Sequence, residues 1–193
     1  MKIVGILLRK DNTYYLNKEL VEWLIENNII PIGIINDKLE NMIQIQKLCN
    51  GIILQGGSNY TEEEIKFIKY LYENNIPTLG ICLGMQMMAV ACNGKLDSNI
   101  QNHNNNKKYV HDIIINKNTK LYKILNNENI TVNSRHNDYV KYTDLSIAAM
   151  STDGIIEAIE DTNCSFFIGI QWHPESLKDM NSLKILKCYV ESL

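Results

Sequence analysis

The first half of the chain alternates short, continuous apolar runs with segments whose apolar positions recur three and four residues apart. The runs at residues 3–8, 29–35, 51–54 and 78–81 predict strands, and the periodic segments 16–25, 39–48 and 61–72 predict helices. Thr61-Glu62-Glu63-Glu64 opens the third helix with a capping box. Because the strands are apolar throughout rather than at every second position, both of their faces must be covered, which is the signature of a parallel sheet between helices. The second half reads differently. Residues 112–115, 130–133, 145–150, 155–159 and 166–170 predict short strands, closed by a helix over 182–190. The expected fold is therefore α/β: an open, mostly parallel twisted sheet flanked by helices, with a small β-rich addition in the C-terminal half. No internal repeat or Pro/Gly/Ser-rich linker interrupts it, so residues 1–193 are expected to form one domain.

Composition narrows the picture. With 193 residues, 45% of them hydrophobic, the chain can bury an ample core, and a net charge of −3 gives no sign of a nucleic-acid or membrane partner. The N-terminal apolar run is too short for a signal peptide and has no small-residue cleavage site, so a cytoplasmic protein is expected. Five cysteines without C-x-x-C spacing argue against a disulfide framework and a structural zinc site. The run Asn104-Asn105-Asn106 reads as part of a solvated loop. His103 and His111, on either side of it, read as ordinary loop and strand-edge residues, and no metal-ligand cluster is expected.

Chemistry enters at Gly80-Ile81-Cys82-Leu83-Gly84, where glycines two residues either side of a nucleophile match a strained strand-to-helix elbow. A helix predicted over 85–91 directs its N-terminal N–H groups at Cys82, which favours thiolate over thiol. The bland alternative is a buried structural cysteine. Far downstream, Gln171-Trp172-His173-Pro174-Glu175 follows a predicted strand and supplies a base. Pro174 disfavours a helical conformation at His173, so His173 and Glu175 are expected on an extended segment, pointing the same way, with Glu175 orienting His173. Cys82, His173 and Glu175 then follow triad logic. Gly56-Gly57 is the candidate oxyanion turn, with the N–H groups of Gly57 and Leu83 as donors. The mechanism calls for no cofactor.

Gly56-Gly57, the Cys82 elbow and the stretch 169–175 together resemble the three signatures of class I glutamine amidotransferase domains. Residues 132–136 and 153–160 further resemble the γ-glutamyl hydrolase branch, peptidase family C26, which includes γ-glutamyl-γ-aminobutyrate hydrolase. The resemblance implies that Cys82 attacks a γ-carbonyl, His173 shuttles the proton and water clears a glutamyl thioester. It assigns Gln86 to the glutamyl pocket, which Asn133, Ser134 and His136 also line. Two departures, Leu83 where the γ-aminobutyrate enzymes carry arginine and a loop cut to Ser58-Asn59-Tyr60, point away from that substrate. The only two arginines, Arg9 and Arg135, both fall at site-facing positions among 17 lysines. Arginine's planar fork suits phosphate. An anionic leaving group is therefore expected, and length and trimmed loops are similar to hydrolases of γ-glutamyl-CDP-amidate in capsule phosphoramidate synthesis. The alternatives are surface ion pairs for both arginines, a glutaminase subunit that feeds ammonia to a separate synthase partner, and a non-catalytic binding module on the same fold.

Overall fold

A computed structural model describes residues 1–193. In chain order its first part comprises strand β1 (Lys2–Leu7), the small hairpin β2 (Arg9–Lys10) and β3 (Tyr14–Tyr15), helix α1 (Lys18–Glu26), β4 (Ile29–Ile34), α2 (Leu39–Gln46), β5 (Gly51–Leu54), α3 (Glu62–Glu73), β6 (Thr78–Ile81) and α4 (Leu83–Ala91). The second part comprises β7 (Lys95–Asp97), β8 (His111–Ile115), α5 (Lys120–Leu125), β9 (Asn129–Val132), β10 (Tyr139–Tyr142), β11 (Ser146–Ser151), β12 (Ile156–Glu160), β13 (Phe167–Ile170), α6 (Pro174–Leu177) and α7 (Met180–Glu191).

Nine strands form one sheet in the order β4-β1-β5-β6-β13-β12-β11-β8-β9. The first five run parallel, and from β13 outward each neighbour is antiparallel. The β-rich stretch is thus joined edge to edge with the parallel half through β13, and only β7 and β10 pair apart from it. Two buried clusters cover the faces. One packs Val4, Ile6 and Ile168 with Trp23 of α1, Leu121 of α5 and Tyr189 of α7; the other packs Leu7, Ile52 and Leu54 with Met42 of α2, Phe67 of α3 and Met85 of α4.

Register sets the site. Ile81 pairs with Ile170 and Gly80 with Leu54, so the chain leaves β6, β13 and β5 side by side at their carboxyl ends. In parallel α/β sheets that edge is where ligands bind. Helix starts are closed by their own side chains: Asn17 accepts from Leu20 N, and Thr61 with Glu64 completes the capping box.

Gly84, in the first turn of α4, lets this helix lie directly on β5. A Cβ there would collide with the carbonyl oxygen of Leu54, which is ladder backbone and cannot step aside. Gly84→Ala is expected to destabilise the fold by about 3 kcal/mol, lowering Tm by roughly 10 °C in a thermal melt. An unchanged melt would show that α4 shifts freely on the sheet.

Candidate active site

Cys82 is the last residue before α4 and has φ 54° and ψ −110°, a conformation that side chains with a Cβ avoid. Such a residue stores about 1–3 kcal/mol of strain that surrounding packing must hold. The two glycines make the turn feasible: a Cβ on Gly80 would run into Met88 Sδ and the backbone of Gly84. The expected elbow is therefore present, with Cys82 only 6% exposed at the bottom of a cleft.

His173 reaches the same point from β13. It stands beside Cys82 on one side, and its Nδ1 lies 2.8 Å from Glu175 Oε1 on the other. Burial opposes a charge on this imidazole, but the Glu175 carboxylate and the nearby Cys82 sulfur outweigh it, and the pKa is pushed up to about 10. The extended segment expected for His173 and Glu175 is corrected. His173 keeps a non-helical backbone, φ −108° and ψ 88°, but Pro174 and Glu175 form the first turn of α6. Proline restrains the residue before it while itself suiting the first position of a helix, so the chain turns after His173 and Glu175 folds back onto the ring.

The cleft has a volume of about 260 Å³ and is lined by Gly57, Cys82, Leu83, Gln86, Arg135 and His136, with Ser58, Asn137 and Asp138. Gly56 lies under the imidazole: a Cβ there would come within 3.0 Å of His173 Cε1 and 3.5 Å of Cys82 Cβ. Gln86 is tied by its Nε2 to Asp138 O at 2.8 Å and Gln171 Oε1 at 3.1 Å, which holds the far wall. Arg135 is part exposed and stands 3.7 Å from Glu19 on the rim.

Three sequence assignments change. Arg9 does not face the cleft: it is 2% exposed and ion-paired with the fully buried Glu64, and burial pulls its pKa down to about 10. Its stem lies against Gly57, so it supports that turn from behind. Asn133 is buried, and its carboxamide brackets the His173 backbone, accepting from His173 N at 2.8 Å and donating to His173 O at 2.9 Å. Ser134 donates to His103 O at 2.6 Å and does not line the cleft.

The structure also overturns the expectation of no metal-ligand cluster. His103, His111 and Glu157 bring one ligand atom each within 4.8 Å of one another. Far from being ordinary loop residues, His103 is buried and His111 largely so, both around Glu157. No spacing motif marks the group, because its members come from a loop, from β8 and from β12.

The peptidase C26 family model matches residues 60–175, which hold the elbow, His173 and Glu175. A glutamine amidotransferase-like protein of Rickettsia prowazekii is 30% identical over 93% of this chain and 89% of its own length. The chain belongs to the peptidase C26 family. This C26 chain is also 36% identical, over 72% of its residues, to the CTP synthase of Sulfolobus acidocaldarius, of which the match covers 33%. Among solved structures, the glutaminase domain of Trypanosoma brucei CTP synthase with bound acivicin superposes with a TM-score of 0.70 at 17% identity, covering 99% of the C26 chain and 94% of that domain. The expected glutamine amidotransferase fold is thereby matched, and no helix is long and apolar enough to cross a membrane.

Proposed function

We propose that the chain is a cysteine-dependent hydrolase of γ-glutamyl amides, carried by one observation: a strained Cys82 beside a His173 whose Nδ1 is held by Glu175. Cys82 Sγ attacks the γ-carbonyl, and the N–H groups of Gly57 and Leu83 take the developing oxyanion. The His173 imidazolium faces the sulfur and then gives its proton to the departing nitrogen. The C–N bond breaks, leaving a glutamyl thioester. Water, deprotonated by His173, attacks that thioester, the S–C bond breaks, and glutamate leaves with Cys82 restored. Glu175 keeps the imidazole in register, and Asn133 fixes its backbone.

The finer assignment concerns the leaving group. Arg135 is the one arginine on the cleft, and Leu83 and the short Ser58-Asn59-Tyr60 turn leave the adjoining side open to a bulky conjugate. These features support an anionic leaving group, of which the amidate of a nucleoside diphosphate, as in γ-glutamyl-CDP-amidate, is the expected form. Arg9 no longer contributes to that argument. Arg135→Ala is expected to lower kcat/KM about ten- to a hundredfold for phosphorylated γ-glutamyl amides, the worth of a charged hydrogen bond, and to leave neutral amides unchanged. Equal losses on both classes of amide, read in a steady-state panel, would remove the anion.

A glutaminase that supplies ammonia to a separate synthase is the second reading, favoured by the likeness to CTP synthase glutaminase domains. It predicts weak glutamine turnover by the isolated chain that rises when a synthase is added. Turnover of conjugates in preference to glutamine by the isolated chain separates the first reading from it.

A further inference from the structure

Glu157 lies on β12 behind the cleft, fully buried, and neither of its carboxylate oxygens has a hydrogen-bond partner. Its neighbour in the same strand shows what satisfaction looks like. Glu160, equally buried, accepts from Lys120 N at 2.6 Å and Leu121 N at 2.9 Å at the start of α5. Around Glu157 stand three of the chain's four histidines instead. Glu157 Oε1 is 3.4 Å from His103 Nδ1, 3.5 Å from His111 Nε2 and 3.8 Å from His136 Nε2. His103 Nδ1 and His136 Nε2 are 3.2 Å apart, and His111 Nε2 is itself unpartnered.

These spacings are long for charge-assisted hydrogen bonds, which close to about 2.7–2.9 Å. Those from Glu157 to His103 and His111 do match the edge of a tetrahedron around a zinc-sized ion, in which ligand atoms about 2.0–2.1 Å from the metal stand about 3.3–3.4 Å from one another; His136 stands slightly further out. The outward ring nitrogens agree. His103 Nε2 is 3.1 Å from Asp153 Oδ2, His136 Nδ1 is 2.9 Å from Asp138 O, and His111 Nδ1 is 3.4 Å from Asp112 O. Each outward nitrogen faces an acceptor to which a neutral ring can donate. With the rings neutral and donating outward, the three inward nitrogens present lone pairs toward one carboxylate, an arrangement that a cation between them would satisfy.

We propose that His103, His111 and Glu157 hold a divalent transition-metal ion of the zinc class, and that His136, 3.8 Å from Glu157 Oε1, completes a tetrahedral site by a small movement of its ring. Two imidazoles and a carboxylate suit Zn²⁺, and with His136 drawn in as the fourth ligand no position is left for water or substrate, which makes the ion structural. It ties the loop around His103 and the first residue of β8 to β12. It also fastens His136, in the segment that carries Asn133 and Asp138, so it stiffens one wall of the cleft without touching the reacting atoms. The site stands on its own geometry and does not depend on the reaction proposed above.

The test is metal analysis of the full chain, expressed with zinc supplied and freed of loosely bound ions. Close to one zinc per chain is expected. Removing it with dipicolinate is expected to lower Tm, and refilling with Co²⁺ to give the intense visible bands of a tetrahedral cobalt centre. Glu157→Gln and His111→Asn are expected to lose the ion and the bands, and Cys82→Ala to keep both. His111, on the edge of the cluster, is the milder variant should Glu157→Gln fail to fold. A folded wild-type chain that holds no more metal than His111→Asn, or a pale octahedral cobalt spectrum, overturns the proposal.

Discussion

Cys82→Ala is expected to lower kcat/KM for any γ-glutamyl amide by a factor on the order of 10⁴ to 10⁶, because a nucleophile and its base act as one unit and losing either forfeits nearly the whole chemical step. The variant should also fail to form a covalent adduct with acivicin or a glutamine-like chloro-ketone, read as the absence of a mass increment on the intact chain. Folding should survive, since the thiol makes no structural bond beyond His173. The backbone at this position, φ 54°, gives a second readout. Cys82→Gly lacks the sulfur just as alanine does, yet it accepts the conformation, so it should be more stable than Cys82→Ala by about 1 kcal/mol. Residual turnover of the alanine variant above about a thousandth of wild type would show that another group does the chemistry. Normal melts with no turnover by wild type on any γ-glutamyl amide, and no adduct, would revive the non-catalytic module.

How far the sequence carried depended on whether a feature is local. Continuous apolar strands, the Thr61–Glu64 box and the glycines around Cys82 each act within a few residues, and the parallel half of the sheet and the elbow were legible from them. The boundaries of α1, α2 and α7 fall within two residues of the expected ones. Long-range pairing was not legible. Glu64 reads as a capping residue and is one, but nothing near it tells that the same carboxylate reaches Arg9 at the start of β2. The 123 residues between Arg9 and Asn133 hide the parallel fact that both support the site from behind, Arg9 under Gly57 and Asn133 around the His173 backbone. The cluster at Glu157 left one trace: strand 156–160 carries two glutamates in a run that is otherwise apolar, and a buried strand tolerates a charge only when something pairs with it. For Glu160 that something is the start of α5, a helix unforeseen in the sequence because its six residues are too few to show a period.

The geometry at Glu175 leads to the second large effect. Glu175→Gln keeps an oxygen that can accept from His173 Nδ1, so the ring stays in place while the charge that holds its proton is gone. Burial, which disfavours the imidazolium, is then opposed chiefly by the Cys82 sulfur beside it, and the His173 pKa falls from about 10 toward the ordinary 6.5. Turnover should drop on the order of 10³- to 10⁴-fold at neutral pH, and the alkaline limb of kcat/KM should move down from near pH 10 by well over one unit. Stability must follow the same linkage. Because the folded-state pKa of His173 is raised, its contribution is complete below pH 6.5, where folded and unfolded chains both hold the proton. Between 6.5 and about 10 only the folded chain holds it, so the contribution declines with rising pH, and above 10 it is lost. The wild type should accordingly lose Tm progressively over that window, and Glu175→Gln should lose less, the difference between the two profiles isolating this one group from the other thiols and phenols that titrate nearby. An alkaline limb that stays near pH 10 in the variant, with turnover reduced by less than about tenfold, would mean that the charge on Glu175 neither holds the His173 proton nor serves the chemistry.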